Sequence, residues 1–355
     1  MTKLKKLRNK MKEIGIDSVL VFDELNQRYL SDFAFTDGYL FITQRSAYVI
    51  TDFRYYEMAL KAVSSDFEVT MTKERREFLL NAIAKDSVKT VGFEGGSVSF
   101  AVYQSYKETY TTVEFVDIGD IIEVIRQIKS PEEIGFLQKA QDITDNAFAH
   151  VLKLLSPEMT ELEVAVELEY AMRRGGAESF SFETIAVSGD ASALPHGTPR
   201  NCKLKRGFLT MDFGAKFNGY CADMTRTVVI GKADAEMKKL YNTVLNAQKA
   251  ALDFIRAGVD ASEADKVARD IIDSEPEFNG AFGHSLGHSI GLFVHETPGL
   301  SPKYKGWILR AGEIFSCEPG IYLFGKYGCR IEDMLAVEEN GIYNFTHSTK
   351  ELIEI

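Results

Sequence analysis

The order helix, helix, strand pair occurs twice between Ser130 and Glu338, about a hundred residues apart, which reads as an internal repeat and leads us to expect a pseudo-twofold fold. Ser130-Pro131-Glu132-Glu133 opens the first copy. Ser130 can cap a helix, Pro131 suits its first position, and Glu133 completes a capping box. That helix is expected to run to about Leu155. A second starts at Thr160, with Glu163 three residues on, and stops at Gly175-Gly176. Strands are expected over 208–215 and 219–230. In the second copy, Asp234 caps a helix ending near Gly258, Asp260 with Glu263 starts another, and strands are expected over 313–324 and 328–338.

Each strand pair carries two carboxylates, Asp212 and Asp223 in the first and Glu318 and Glu332 in the second. A pseudo-twofold fold would bring the pairs face to face. With His288 they make an oxygen-rich donor set that suits Mn²⁺, Co²⁺, Fe²⁺ or Zn²⁺ better than Cu⁺ or an iron–sulfur cluster. Four anions this close would raise one another's pKa values unless cations were bound. Two ions bridged by carboxylates, about 3.5–4 Å apart, would neutralise them and generate a hydroxide near neutral pH. Strand alternation puts Arg330 and Glu332 on one face, with Cys329 and Asp333 on the other. Cys317 points away from the face of Glu318. Cys221 shares the face of Asp223 and reads as a small packed residue.

The first ~125 residues alternate helix and strand patterns, as an α/β unit does. Helices are expected over 4–14 and 54–63, and strands over 18–22, 38–51 (a hairpin turning at Gln44-Arg45), 90–94 and 114–117. The division expected is 1–125 and 126–355. Nothing in the first part carries an obvious reaction. With 52 acidic against 41 basic residues, the chain has no basic face for a nucleic acid. Its one basic run, Lys3 to Lys12, interleaves with Leu4, Leu7 and Met11 at helical spacing and reads as the solvated side of an amphipathic helix. No apolar run reaches the ~18 residues of a membrane span, and no signal peptide is apparent. Four cysteines without a CxxC pair fit a reducing, cytoplasmic setting.

Asp212-Phe213-Gly214 with Gly219-Tyr220-Cys221-Ala222-Asp223-Met224-Thr225-Arg226-Thr227 makes a paired aspartate motif. His284-Ser285-Leu286-Gly287-His288-Ser289-Ile290-Gly291 and Val294-His295-Glu296 make a glycine-rich histidine motif. Glu318-Pro319-Gly320-Ile321-Tyr322 and Arg330-Ile331-Glu332-Asp333 make two glutamate motifs, and Pro195-His196-Gly197 ends a fifth. In this order they resemble the motifs of the creatinase-fold ("pita-bread") metallopeptidases. The first domain resembles that of Xaa-Pro aminopeptidases and prolidases, including Asn26, Tyr29, Leu30 and Ser31. The resemblance implies an α+β architecture, a pita-bread catalytic domain with the helix–helix–strand-pair repeat behind a smaller α/β domain.

It also implies roles. Asp212 would bind one ion, Asp223 and Glu332 would bridge both, and His288 and Glu318 would bind the other. Glu318 would shuttle the proton of the attacking water. His196 and His295 would steady the scissile carbonyl as it becomes an oxyanion. His284 would contact substrate, and Arg330 would organise the glutamates. His150 and His347 lie outside the motifs. Ser289 stands where glycine is usual, in what reads as a tight loop, and Gly299 stands where some prolidases carry an arginine for a dipeptide's carboxylate.

The activity implied is that of an Xaa-Pro aminopeptidase with two divalent ions, Mn²⁺ or Co²⁺ first and Zn²⁺ or Fe²⁺ as alternatives. It would act on peptides with proline in second position, as a homodimer, with no nucleic acid or membrane partner. A prolidase is the near alternative. A methionine aminopeptidase generally lacks the large first domain. Creatinases lack the metal ligands, and an intact ligand set counts against a pure peptide-binding module.

Overall fold

The computed structural model describes residues 1–355, which divide into two compact units, Met1–Arg126 and Gln127–Ile355. The first is α/β. Its elements are α1 (Lys3–Glu13), β1 (Ser18–Val21), α2 (Glu24–Ser31), β2 (Tyr39–Thr43), β3 (Ala47–Thr51), α3 (Phe53–Ala62), β4 (Glu68–Met71), α4 (Arg75–Asp86), β5 (Thr90–Phe93), α5 (Phe100–Thr109), β6 (Glu114–Asp117) and α6 (Ile121–Gln127). The strands form one mixed sheet in the order β4-β3-β2-β1-β5-β6. β1, β2 and β3 are buried throughout, as central strands covered on both faces are. α1 buries Leu4, Leu7 and Met11, the spacing of one helix face, so its lysines are left to solvent.

The second unit repeats itself. Its first half is α7 (Pro131–Val151), α8 (Glu161–Arg174), β7 (Ser179–Phe180), β8 (Ile185–Ser188), β9 (Gly207–Phe213), β10 (Ala215–Phe217), β11 (Tyr220–Cys221) and β12 (Met224–Ile230). Its second is α9 (Ala235–Phe254), α10 (Ala261–Asp273), β13 (Gly287–Ser289), β14 (Glu296–Leu300), β15 (Ile314–Cys317), β16 (Gly320–Leu323), β17 (Tyr327–Arg330), β18 (Asp333–Glu338) and β19 (Gly341–Asn344). The main sheets are β12-β9-β8 and β14-β13-β15-β18-β19. Each helix pair covers its own sheet. Leu168, Met172, Met211 and Phe213 close the first core, and Leu240, Val244, Phe315 and Leu335 belong to the second.

Local signals fix the helix starts. Ser130 and Glu133 form both bonds of a capping box, as do Thr160 and Glu163. Two helices stop short of expectation. α7 ends at Val151, ahead of Ser156-Pro157, where proline restricts the residue before it. α9 ends at Phe254 because the chain turns extended at Ile255, and later amides find partners outside the helix: Ala257 donates to the Glu338 carbonyl of β18 and Gly258 to that of Leu309.

The expected long strands are each broken. The 208–215 run breaks at Gly214, where a Cβ would sit 1.9 Å from the Ala222 carbonyl oxygen, so only glycine allows this approach. The other breaks fall at Ala222-Asp223, Glu318-Pro319 and Ile331-Glu332. Pro319 has no N–H for a ladder, and the Glu332 amide is taken by Thr225 of the opposite half at 3.1 Å.

Phe208 is fully buried in the second core, 6.4 Å from the Tyr241 ring and 5.5 Å from that of Tyr327. Phe208→Ala is expected to remove about 3–5 kcal/mol of stability. A urea titration would show a lower midpoint with an unchanged slope; an unchanged midpoint would mean the site collapses without cost.

Candidate active site

The strand breaks put the carboxylates where the halves meet. Asp223 directly precedes β12 and Glu332 directly precedes β18, so the two occupy equivalent places in the repeat. Asp212 is on β9, and Glu318 follows β15. The halves are stitched together by side chains as well as backbone. Thr225 Oγ1 donates to Glu332 Oε2 at 2.7 Å, Arg330 Nε donates to Thr225 Oγ1 at 2.9 Å, and Arg330 Nη2 donates to Asp212 Oδ2 at 2.6 Å. One cavity of about 580 Å³ is lined by all five expected ligands, together with His196, His284, His295 and Arg330.

One donor atom each from Asp223, His288 and Glu332 lies within 4.8 Å of the others. His288 Nε2 is 3.4 Å from Asp223 Oδ2 and 3.4 Å from Glu318 Oε1. That matches the roughly 3–3.5 Å between two donors on one ion with bonds of about 2.0–2.2 Å. These contacts are not ion pairs. Burial, and then His295, push His288 down to about 3, so the imidazole is neutral. Its Nδ1 lies 3.3 Å from the Ser289 carbonyl, an acceptor only, which places the hydrogen on Nδ1 and leaves the Nε2 lone pair for a metal.

The carboxylates also ask for cations. Burial pushes Asp223 well above the usual carboxylate range, and Glu332, Asp212 and Glu318 push it further. Glu332 is raised by burial and then by Glu318 and Asp212; burial pushes Glu318 up to about 8 against the pull of Arg330. Asp212 Oδ1 is buried without a hydrogen-bond partner. One guanidinium facing four carboxylates, with an orphaned acceptor among them, fits a site for divalent cations.

The histidines hang on clamped loops. Glu161 of α8 is fully buried and accepts from Ser188 N at 2.7 Å, Arg200 N at 3.1 Å and Arg200 Nε at 2.7 Å, bracketing the loop that carries His196. In the second half Asp265 of α10 accepts from Arg269 Nε at 2.8 Å and from Leu286 N at 2.9 Å, while Arg269 donates to the Phe282 and His284 carbonyls. Glu296 accepts from Leu292 N at 3.0 Å and so shapes the turn before His295. His196 and His295 are exposed to the cavity, and the His295 ring meets the His288 ring edge-on at 4.4 Å.

His284 is differently placed. Its Nδ1 lies 2.9 Å from the Ser285 carbonyl, and its Nε2 takes the Tyr322 hydroxyl hydrogen at 2.9 Å, while Arg330 Nη1 donates to the same hydroxyl at 2.7 Å. Both nitrogens are thus used inside the protein, so His284 lines the cavity without a free N–H for a substrate.

Several neighbours escaped sequence reasoning. Ser316 Oγ donates to Glu318 Oε1 at 3.1 Å, Thr225 ties Arg330 to Glu332, and Tyr322 ties Arg330 to His284. Phe182, Glu183, Thr184 and Ile185 line the cavity, with Thr184 Oγ1 buried and unpartnered. Thr225 and Tyr322 stood inside recognised motifs, and the stretch 182–185 carried no signal of its own. Cys221 is buried with Sγ towards the Leu292 carbonyl at 3.6 Å and does not line the cavity. Ser289 is on strand β13, at a bulge, rather than in a tight loop; its hydroxyl is satisfied by the Ile314 carbonyl at 2.9 Å. His150 and His347 do not line the cavity. Gly299 does not line it either, and a Cβ there would lie 3.1 Å from both the Gly287 carbonyl oxygen and the Tyr304 ring.

Residues 135–339 match the model of metallopeptidase family M24, and residues 3–128 match the creatinase/prolidase N-terminal domain. The chain belongs to family M24. An Xaa-Pro dipeptidase of Pyrococcus horikoshii is 37% identical to this M24 chain, over 99% of the chain and 98% of its own length. The solved structure of an Xaa-Pro dipeptidase from Bacillus anthracis matches with a TM-score of 0.95 at 39% identity, covering 99% of each chain. That of an X-Pro aminopeptidase from Thermotoga maritima matches at 0.92 with 35% identity, covering 100% of each. The M24 chain therefore has the creatinase-like architecture expected, a smaller N-terminal domain before a pita-bread domain. It is a metallopeptidase, of a family that works with divalent metal ions. No helix is long and apolar enough to cross a membrane.

Proposed function

We propose that this M24 peptidase is a two-metal Xaa-Pro aminopeptidase, cleaving between an N-terminal residue and a following proline. The observation that carries the reading is a single cavity lined by Asp212, Asp223, His288, Glu318 and Glu332, with His196 and His295 exposed to it. Asp212 would hold one ion, His288 and Glu318 the other, and Asp223 and Glu332 both, with Mn²⁺ or Co²⁺ the first choice. When bound, such ions polarise the scissile carbonyl and lower the pKa of water to near neutrality.

The chain's own groups do the rest. Glu318 Oε1 is held by Ser316, which leaves Oε2 to take a proton from the attacking water and return it to the departing proline nitrogen. That nitrogen must be protonated to leave, because an amide anion is too basic to depart, and proline then leaves as a secondary amine. His196 and His295 donate to the carbonyl oxygen as it gains negative charge. Arg330 holds Asp212 and, through Thr225, the position of Glu332. Phe182, Ile185, Pro195 and Pro199 give the apolar wall that a substrate ring needs. A homodimer in the cytoplasm belongs to the same reading, on family resemblance and cysteine usage.

A dipeptidase is the second reading, favoured by the names of the Pyrococcus and Bacillus relatives. Against it, the only arginine or lysine lining the cavity is Arg330, already paired with Asp212. Assay of Ala-Pro and Ala-Pro-Ala with Mn²⁺ or Co²⁺, each with a chelator control, separates the readings. We expect chelator-sensitive cleavage of the tripeptide. Cleavage of the dipeptide alone would make it a prolidase, and cleavage of neither by the metal-loaded protein would overturn both.

A further inference from the structure

Arg226 of β12 is the largest fully buried side chain, and its five N–H groups each have an acceptor. Nε donates to the Thr349 carbonyl at 3.0 Å. Nη1 donates to those of Thr225 at 2.9 Å and Glu332 at 2.6 Å, and Nη2 to Asp333 Oδ1 at 2.8 Å and the Ser348 carbonyl at 2.8 Å. One guanidinium therefore grips the backbone of Glu332, the backbone of the threonine that holds the Glu332 carboxylate, and the C-terminal segment.

That segment is itself tied to both halves of the repeat. Asp145 of α7 accepts from His347 N at 3.0 Å and from Ser348 N at 2.9 Å. Lys350 Nζ donates to Asp333 Oδ2 at 2.6 Å, beside Arg226. Beyond it, Val229 N donates to the Ile353 carbonyl and Ile355 N to that of Val229, both at 2.8 Å, so the last residues cover the edge of β12. In the second half, β19 covers the equivalent edge of β18. The repeat puts Leu335 where Arg226 stands in the first half, so this grip exists once, behind Glu332 only.

We propose that Arg226 and residues 346–350 form a brace that sets the position of Glu332, making Arg226 a positioning residue for the metal centre. The inference rests on the reading of Glu332 as a ligand. A lysine in place of Arg226 keeps the charge but cannot fill five acceptors spread across one plane. Glu332 would then lose the hold on its own carbonyl and on that of Thr225, and the spacing of its carboxylate from Asp223 and His288 would loosen.

The test is titration of Mn²⁺ into wild type, Arg226→Lys and Asp145→Asn, with the visible spectrum of each Co²⁺ form. Asp145→Asn leaves Arg226 in place and loosens the segment, because the amide oxygen can accept from Ser348 N or His347 N but its NH₂ from neither; it decides the matter if Arg226→Lys does not fold. We expect folded Arg226→Lys to bind Mn²⁺ about 10–100-fold more weakly with an altered Co²⁺ spectrum, and Asp145→Asn to show a smaller loss in the same direction. A residue that merely supports the fold would lower thermal stability and leave affinity and spectrum as in wild type; that result in the folded variants overturns the brace. If wild type itself bound no metal, the reading of the site would fall first.

Discussion

Glu332→Gln is expected to lose metal and catalysis together. Glu332 is buried between the halves of the repeat, with one oxygen already held by Thr225 at 2.7 Å. Glutamine can keep that bond through its carbonyl, but it presents a neutral NH₂ where a second anionic oxygen stood. Divalent ions need deprotonated donors, and changes one shell further out already cost about 10–100-fold in affinity or activity, so a direct ligand should cost at least the upper end of that range. Metal content after dialysis and peptidase activity at matched Mn²⁺ check this. A fully loaded, active variant would remove Glu332 from the ligand set. The fold should not suffer. A carboxyl raised above its unfolded pKa holds its proton more tightly when folded, so its contribution is favourable at low pH and lost as pH rises through the folded value. At neutral pH without metal, Glu332 must either take up a proton or stay charged in the buried site, a cost that glutamine, which does not ionise, does not carry. The urea midpoint of the chelated variant should therefore be no lower than that of chelated wild type.

His196→Ala is expected to lower turnover by about 10²–10³-fold with metal content unchanged, the cost of deleting one donor aimed at a developing oxyanion. His196 is exposed to the cavity on a loop clamped by Glu161 and Arg200, with no carboxylate ligand among its hydrogen-bond partners. Its removal should therefore leave the ions seated and slow the step in which charge appears on the carbonyl oxygen. Single-turnover rates and metal analysis on the same preparation check the split. Loss of metal would make His196 a ligand, and unchanged turnover would leave it without a catalytic role.

Much of the fold was legible because its signals are local. The capping residues Ser130, Thr160, Asp234 and Asp260 mark the helix starts, whereas the break at Gly214 was not legible, because the close approach of Ala222 exists only in the fold. The carboxylates were legible as short motifs in two similar strand pairs. What was not legible depends on distant partners. β13 is three residues, Gly-His-Ser, which read as a loop until pairing with β14 and β15 makes it a strand. β7 and β8 are too short to show alternation. α2, α4, α5 and α6 were missed as well, although Asp23 caps α2 and Ser99 caps α5. Arg226 was visible within a motif, but its acceptors at Glu332, Ser348 and Thr349 lie more than a hundred residues away along the chain. The occupation of both His284 nitrogens likewise depends on Tyr322, 38 residues on.

Anomalous scattering from crystals grown with Mn²⁺ would locate the ions themselves. Two peaks are expected in the cavity, within bonding distance of Asp212, Asp223, His288, Glu318 and Glu332, with Asp223 and Glu332 touching both. A single peak in crystals of active protein, or two peaks held by other residues, would contradict the two-metal reading.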